Sequence, residues 1–280
     1  MNTLKIIIML AALSGILLAV GYFVAGKTGL IIALVLSVVM NFGSYWFSDT
    51  IVLKMYDAVP VSEQQAPDLY SIVRETADKA KIPMPKVYIL PNKTPNAFAT
   101  GRNEDHAAVA VTSGILKILN KDELEGVIGH ELSHIKHHDI LISTMAATIA
   151  SAVVVLANMA KWAALTGGAG DDGGRLVTLI ATAVVAPIAA TLVQMALSRS
   201  REYYADEGSA KLTGKPEVMA SSLEKLSRAS QKIPMDANPA TAHMFIVNPL
   251  SSNMVMNLFS THPPIEKRVE RLRNMKEGWS

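Results

Sequence analysis

Residues 130–134 read His-Glu-Leu-Ser-His, a pattern whose residue types and spacing suit a hydrolytic metal centre. On a helix, His130 and His134 lie one turn apart on one face, so both imidazoles reach a single cation. Two neutral imidazoles suit zinc, among other metals. Glu131 sits about 100° further round. From there it can take a proton from a water and later hand it to a leaving amine. The same five residues also arise on polar helix faces whose histidines bind nothing, so the pattern needs a third ligand before it means metal. The chain has no cysteine, which excludes thiolate ligands and leaves His, Asp or Glu.

His137 and His138 are close in sequence but badly placed. At about 1.5 Å rise per residue, His137 stands roughly 10 Å from His130 along the helix axis, too far for one ion to bind both along with His134. His138 points another ~100° round. A solvated helix end, where histidine suits the C-terminal dipole, accounts for both. A better source is "SRSREYYADEGSA" (198–210), in which Glu202 and Asp206 share a helical face at i, i+4. One can bind metal while the other hydrogen-bonds a ligand histidine and fixes its tautomer. Spacing alone leaves open which does which, and such acid pairs are common on solvated faces.

These residues need elements to hold them. Asn120 and Asp122 are both candidate caps for the helix carrying His130, and Glu123 and Glu125 suit the dipole of its first turns. Before it, apolar residues at 69, 72, 73, 77 and 80 have a helical period. Residues 85–90, 96–101 and 106–116 each read as strand. After residue 198, helices are expected over about 199–213, 216–230 and 264–276, the first two separated by Gly214 and Pro216.

Between and before these regions lie four uncharged stretches, Ile6–Gly26, Thr28–Ser48, Ile140–Ala160 and Leu176–Ser198. Each has the length of about 20 residues that a helix needs to cross a bilayer. The whole chain is 50% hydrophobic and 18% charged, against about 25% charged in soluble proteins, which points to membrane. The first two stretches read as a hairpin closed by "VAGKTG". Lys54, Lys136, Arg199 and Arg201 flank the spans on one side, while the loop 166–175 carries two acids and one Arg. The lysine and arginine bias therefore puts both termini and the polar bulk in the cytoplasm. A net charge of +2 without a basic block excludes nucleic acid as a partner. The spans are almost bare of ionisable groups, which disfavours a metal transporter. A catalytically inactive zinc scaffold is the other alternative, and the presence of Glu131 weighs against it.

"GHELSHIKHHD" (129–139), two apolar spans and then "SRSREYYADEGSA", with "TPNAFATG" (94–101) and "STHPPIEKRVERL" (260–272), resemble the membrane zinc metalloproteases of the HtpX family. A more distant likeness is to the prenyl-protein proteases of the Ste24 type. The resemblance covers nearly the whole chain. It implies one zinc bound by His130, His134 and Glu202, with Glu131 as general base and Asp206 supporting a ligand. It brings His262 and Arg268 near the active site, His262 as a candidate for stabilising the oxyanion and Arg268 for orienting a carboxylate or substrate. Asn96, Ala97 and Phe98 are candidates for an edge strand that pairs with extended substrate. The histidine pair before Asp139 departs from the family pattern.

The expected architecture is α+β and mostly α, a zincin-like integral membrane peptidase with four transmembrane helices and a small edge-strand sheet. Its expected parts are a hairpin (1–48), a first peptidase segment (49–139), an inserted hairpin (140–198) and a second peptidase segment (199–280). The function implied by the resemblance is quality control of membrane proteins at the cytoplasmic face of the bacterial inner membrane. Lipid bilayer and membrane-protein substrates are then the partners. The Met-rich stretch 243–260 is expected either to pack in the core or to line the entry.

Overall fold

The computed structural model describes residues 2–151, 199–235, 237–238, 240–249 and 262–275. The chain opens with helix α1 (Asn2–Met55), which doubles back on itself. Gly26 reverses the chain at φ +56°, a left-handed conformation that a residue with a Cβ enters only at a cost. Across the two arms the Asn41 side chain donates to Ser14 Oγ at 2.8 Å. The two arms therefore lie side by side, with their turn inside "VAGKTG".

Among the described residues, one helical stretch is long and apolar enough to cross a membrane, Gly26–Met55, and only 17% of its most apolar window is buried. A core helix of a soluble protein would be mostly covered. Leu4–Ala19 and Ile140–Ser151 are shorter apolar helices. The rest of the third expected span and all of the fourth, Leu176–Ser198, lie outside the described residues.

Four strands form one mixed sheet in the order β1-β2-β4-β3: β1 (Val59–Pro60), β2 (Lys86–Leu90), β3 (Ala97–Gly101) and β4 (Ala107–Thr112). β2 and β4 run parallel, and the two outer pairings are antiparallel. The three longer strands fall where the sequence predicts them. Val59–Pro60 is too short to carry a periodic signal.

Both faces of the sheet are covered, which is why its strands lack polar alternation. Val87, Ala99, Val109 and Val111 face a core shared with helices α2 (Pro67–Ala80), α4 (Lys121–Lys136) and α7 (Pro216–Lys232). Leu90, Phe98, Ala108 and Ala110 face the other way, onto Val52 and Leu53 at the end of α1 and Ala147 of α5 (Ile140–Ser151). The sheet is thus clamped between α2, α4 and α7 on one face and the ends of the apolar helices on the other. A single turn, α3 (Ile115–Ile118), leads from β4 into α4.

Two local features aim α4. Asn120 caps it, accepting from the Glu123 N–H while the Glu123 carboxylate accepts from the Asn120 N–H, a reciprocal capping box. Helix α6 (Arg199–Thr213) packs against α4 at very close range. At Gly208 a Cβ would collide with Ser133 Oγ, so the glycine permits the approach. Ser209 Oγ donates to Gly126 O at 2.6 Å across the same contact. The last helix, α8 (Ile265–Arg273), begins after Pro263–Pro264 and packs on α7 and α6.

Candidate metal centre

His130 and His134 project from α4 towards Glu202 of α6. The Nε2 atoms of the two histidines are 3.2 Å apart. Glu202 Oε1 is 3.5 Å from His134 Nε2, and Oε2 is 3.7 Å from His130 Nε2. Ligands held at about 2.1 Å in a tetrahedron stand about 3.4 Å from one another, close to all three separations. Among the described residues this is the only such group of three or more metal-binding side chains.

Each histidine is held from behind by a carboxylate. Asp206 Oδ1 is 3.0 Å from His130 Nδ1, a contact that holds the ring with Nε2 facing Glu202. Asp139 Oδ2 is 3.5 Å from His134 Nδ1, and its other oxygen is 3.1 Å from Arg201. Asp206 is fixed in turn by Arg268, which donates Nε–H to Oδ2 at 2.9 Å and Nη2–H to Oδ1 at 2.7 Å. Arg268 also donates to Ile246 O and lies 3.5 Å from Glu202. Its side chain is completely buried. The helical pattern "EKRVERLR" alone reads as a solvated basic face, whereas position 268 shares its inward side with Val269 and Leu272.

The electrostatics match this arrangement. Burial, reinforced by Arg268 and His134, pushes His130 down to about 4, which keeps it neutral as a ligand must be. Burial acts the same way on His134, but Asp139, Glu202 and Glu131 outweigh it and push that imidazole up to about 9. The carboxylates around His134 favour a positive charge there, whether proton or metal. Burial opposes ionisation of Glu202 too, yet His262, His134 and Arg268 hold its carboxyl well below the usual range. Glu131 is the exception. Burial and the nearby Glu202 raise it to about 7, with His134 and the Ala99 backbone N–H pulling the other way.

His262 sits on the far side of Glu202. Its Nε2–H donates to His243 O at 3.0 Å. Its Nδ1 lies 3.0 Å from Glu202 Oε2 but off the line of a hydrogen bond, so both atoms lack an aligned partner. A buried carboxylate oxygen in that state is suited to a cation. With its two nitrogens turned to Glu202 and His243, His262 has neither aimed at an oxyanion.

The expected substrate strand is present as an edge strand, but part of its edge is covered by the chain itself. Asn96 and Phe98 are buried, Asn96 donating to Val247 O at 2.7 Å and Phe98 stacking edge-on with Phe245. Ala97 O accepts from the Ile246 N–H. The strand reaches the cleft at Ala99 instead. His137 and His138 are exposed beyond the end of α4, as their spacing suggests, and His138 takes the left-handed φ of +56° that turns the chain towards Asp139.

Spacing alone does not single out Asp139 for this position. Its signals are its place five residues after His134, just past a helix end, and its fit to the aspartate of the family pattern. Asp139→Asn is expected to weaken metal affinity by about 10- to 100-fold, as loss of a ligand's supporting carboxylate typically does. Zinc titration against a competing chelator measures this, and unchanged affinity would show that the fold positions His134 without a charged partner.

Residues 63–276 match the family model described as Peptidase family M48. The chain is 55% identical over 274 residues to a Syntrophobacter fumaroxidans protein named Protease HtpX homolog, covering 96% of this chain and 97% of the relative. It is 55% identical to proteins of the same name from Thermodesulfovibrio yellowstonii, with 98% and 99% covered, and Pyrococcus furiosus, with 96% and 94% covered. The solved structure of S. mikatae Ste24p aligns with 97% of this chain and 65% of its own, at a TM-score of 0.49 and 15% identity.

Proposed function

Because the chain belongs to peptidase family M48, whose members are metalloproteases, we propose that it is a membrane-anchored zinc endopeptidase. Its proposed targets are misfolded or damaged membrane proteins, cut at the cytoplasmic face. The observation that carries the chemistry is the triangle of His130, His134 and Glu202 with Glu131 beside it in one cleft. Its donor separations fit a tetrahedral ion, and the unsatisfied Glu202 Oε2 fits a cation. His130, His134 and Glu202 would hold the metal, and bound zinc would supply Lewis acidity towards a peptide carbonyl and a water.

The remaining work falls to the chain's own groups. Burial and Glu202 raise the Glu131 carboxyl above its ordinary value, which makes its carboxylate a better proton acceptor than an exposed one. Glu131 can therefore accept the proton of the attacking water on its carboxylate and return it to the departing amine. Asp206 and Asp139 keep the two imidazoles turned so that Nε2 faces the centre. Arg268 holds Asp206 in place. His262 is a positioning residue for Glu202 in this arrangement, rather than a donor to the oxyanion. The apolar, outward-facing Gly26–Met55 stretch supports anchoring in a bilayer, which bears on substrates that emerge from it.

Purified protein loaded with zinc should cut an unfolded substrate such as casein into fragments, and a chelator should abolish the fragments. No cleavage by the loaded protein would favour the inactive-scaffold alternative.

A further inference from the structure

β3 is the last strand of the sheet, so its outer edge is where an added strand would pair. That edge is partly filled by the chain itself. The Ile246 N–H donates to Ala97 O at 3.1 Å, and Asn96 Nδ2 donates to Val247 O at 2.7 Å. Residue 246 lies against 97 and 247 against 96, so the segment runs antiparallel to β3. Two residues along, Ala99 faces Glu131 and the cleft. An extended polypeptide paired at Ala99 and continuing along the edge would need the space that Ile246 occupies.

The cleft agrees with this. It has a volume of about 30 Å³, room for about two waters at ~15 Å³ each, and none for a peptide. Some part of its lining has to move for cleavage. α4 and α6 carry the ligands and β3 belongs to the sheet. Residues 245–249 belong to no helix or strand. Besides its bonds to β3, the segment accepts from Arg268 Nη1–H at Ile246 O, 2.9 Å, and from His262 Nε2–H at His243 O, 3.0 Å. His243 Nε2–H donates to Ser143 O, Tyr56 Oη hydrogen-bonds Thr241 Oγ1, and the Phe245 ring packs edge-on to Phe98 and Tyr56. Met244, Phe245 and Ile246 are buried.

We propose that residues 243–247 are a built-in occupant of the substrate's line along β3, displaced only by an extended apolar polypeptide. This rests on the proteolytic reading above. An unfolded apolar stretch can replace both the backbone bond at Ala97 and the buried side chains, whereas a folded polar surface replaces neither. Displacement has a second effect. It removes His243 O from His262 Nε2, freeing an N–H donor beside Glu202 as substrate enters.

The test uses the full-length protein, which has no cysteine of its own. In the double variant Ala97→Cys/Ile246→Cys, oxidation should tie the segment to β3. Casein cleavage should fall by about 100-fold and return on reduction, with zinc content unchanged. Equal cleavage by the oxidised and reduced forms would overturn the proposal. Hydrogen exchange gives a readout independent of activity. The Ile246 amide should exchange at least about 100-fold faster than those of Val127–Leu132 in α4, and Phe245→Ala should speed it by about tenfold more. Equal protection of Ile246 and α4 in the unsubstituted protein overturns the proposal. If neither the reduced variant nor the unsubstituted protein cleaves casein, the proteolytic reading has failed, and the exchange rates alone decide whether the segment opens.

Discussion

Glu131→Gln is expected to keep its zinc and lose cleavage by about 10²- to 10⁴-fold, the usual contribution of a general base. Glutamine has the same shape and stays buried, but it cannot take a proton from water. None of the three proposed ligands changes, so metal content should stay at one per chain. A second consequence separates the loss of a base from damage to the fold. The folded state holds the Glu131 carboxyl at about 7, above its ordinary 4.5, because burial disfavours the charge. Any stability tied to the neutral form is full below the ordinary value and lost as pH rises through about 7. Glutamine is neutral throughout. In metal-free protein at pH 8, the variant should melt at the same temperature as the parent or higher. Cleavage at the parent's rate would remove Glu131 from the mechanism. A lowered melting temperature with lost zinc would instead show that the substitution disturbed the site.

Some of this architecture was legible because short-range rules decide it. His130 and His134 are one turn apart, so a helix through them brings both to one ion whatever the rest of the fold does. The Asn120–Glu123 cap, the helical period through residue 80 and the apolar runs of β2–β4 are local in the same sense. Glu202 and Asp206 could be paired on one face by spacing. Which of them faces the centre depends on how α6 packs against α4, and that is set by the glycine–serine contacts at Gly208 and Gly129, a tertiary fact. The same holds for the edge of β3. Alternation predicts a strand over 96–101 but is silent on the segment 150 residues later that fills part of its edge. His262 is a third instance. A histidine before two prolines gives no hint that one nitrogen is turned to a backbone carbonyl and the other to Glu202.

Arg268 is the position where sequence pattern and structure diverge most, and its loss is expected to be costly. Arg268→Met removes the guanidinium that pairs with the buried carboxylate of Asp206, while roughly conserving the stem's apolar volume. Breaking a buried ion pair from one side costs about 3–5 kcal/mol, because the remaining charge is stranded without water. The variant should therefore unfold at clearly lower denaturant than the parent. Arg268→Lys should recover only part of this, since an ammonium cannot make the two parallel bonds of a planar fork. Adding Asp206→Leu to Arg268→Met removes the stranded charge, so the double variant should be more stable than Arg268→Met alone. Zinc affinity should behave differently. His130 loses its carboxylate partner in the double variant, and affinity should fall by about 10- to 100-fold however well the fold recovers. Recovery of fold without recovery of affinity would place the Arg268–Asp206 pair in the chain of contacts that aims His130. Recovery of both would reduce the pair to a structural bridge between α8 and α6.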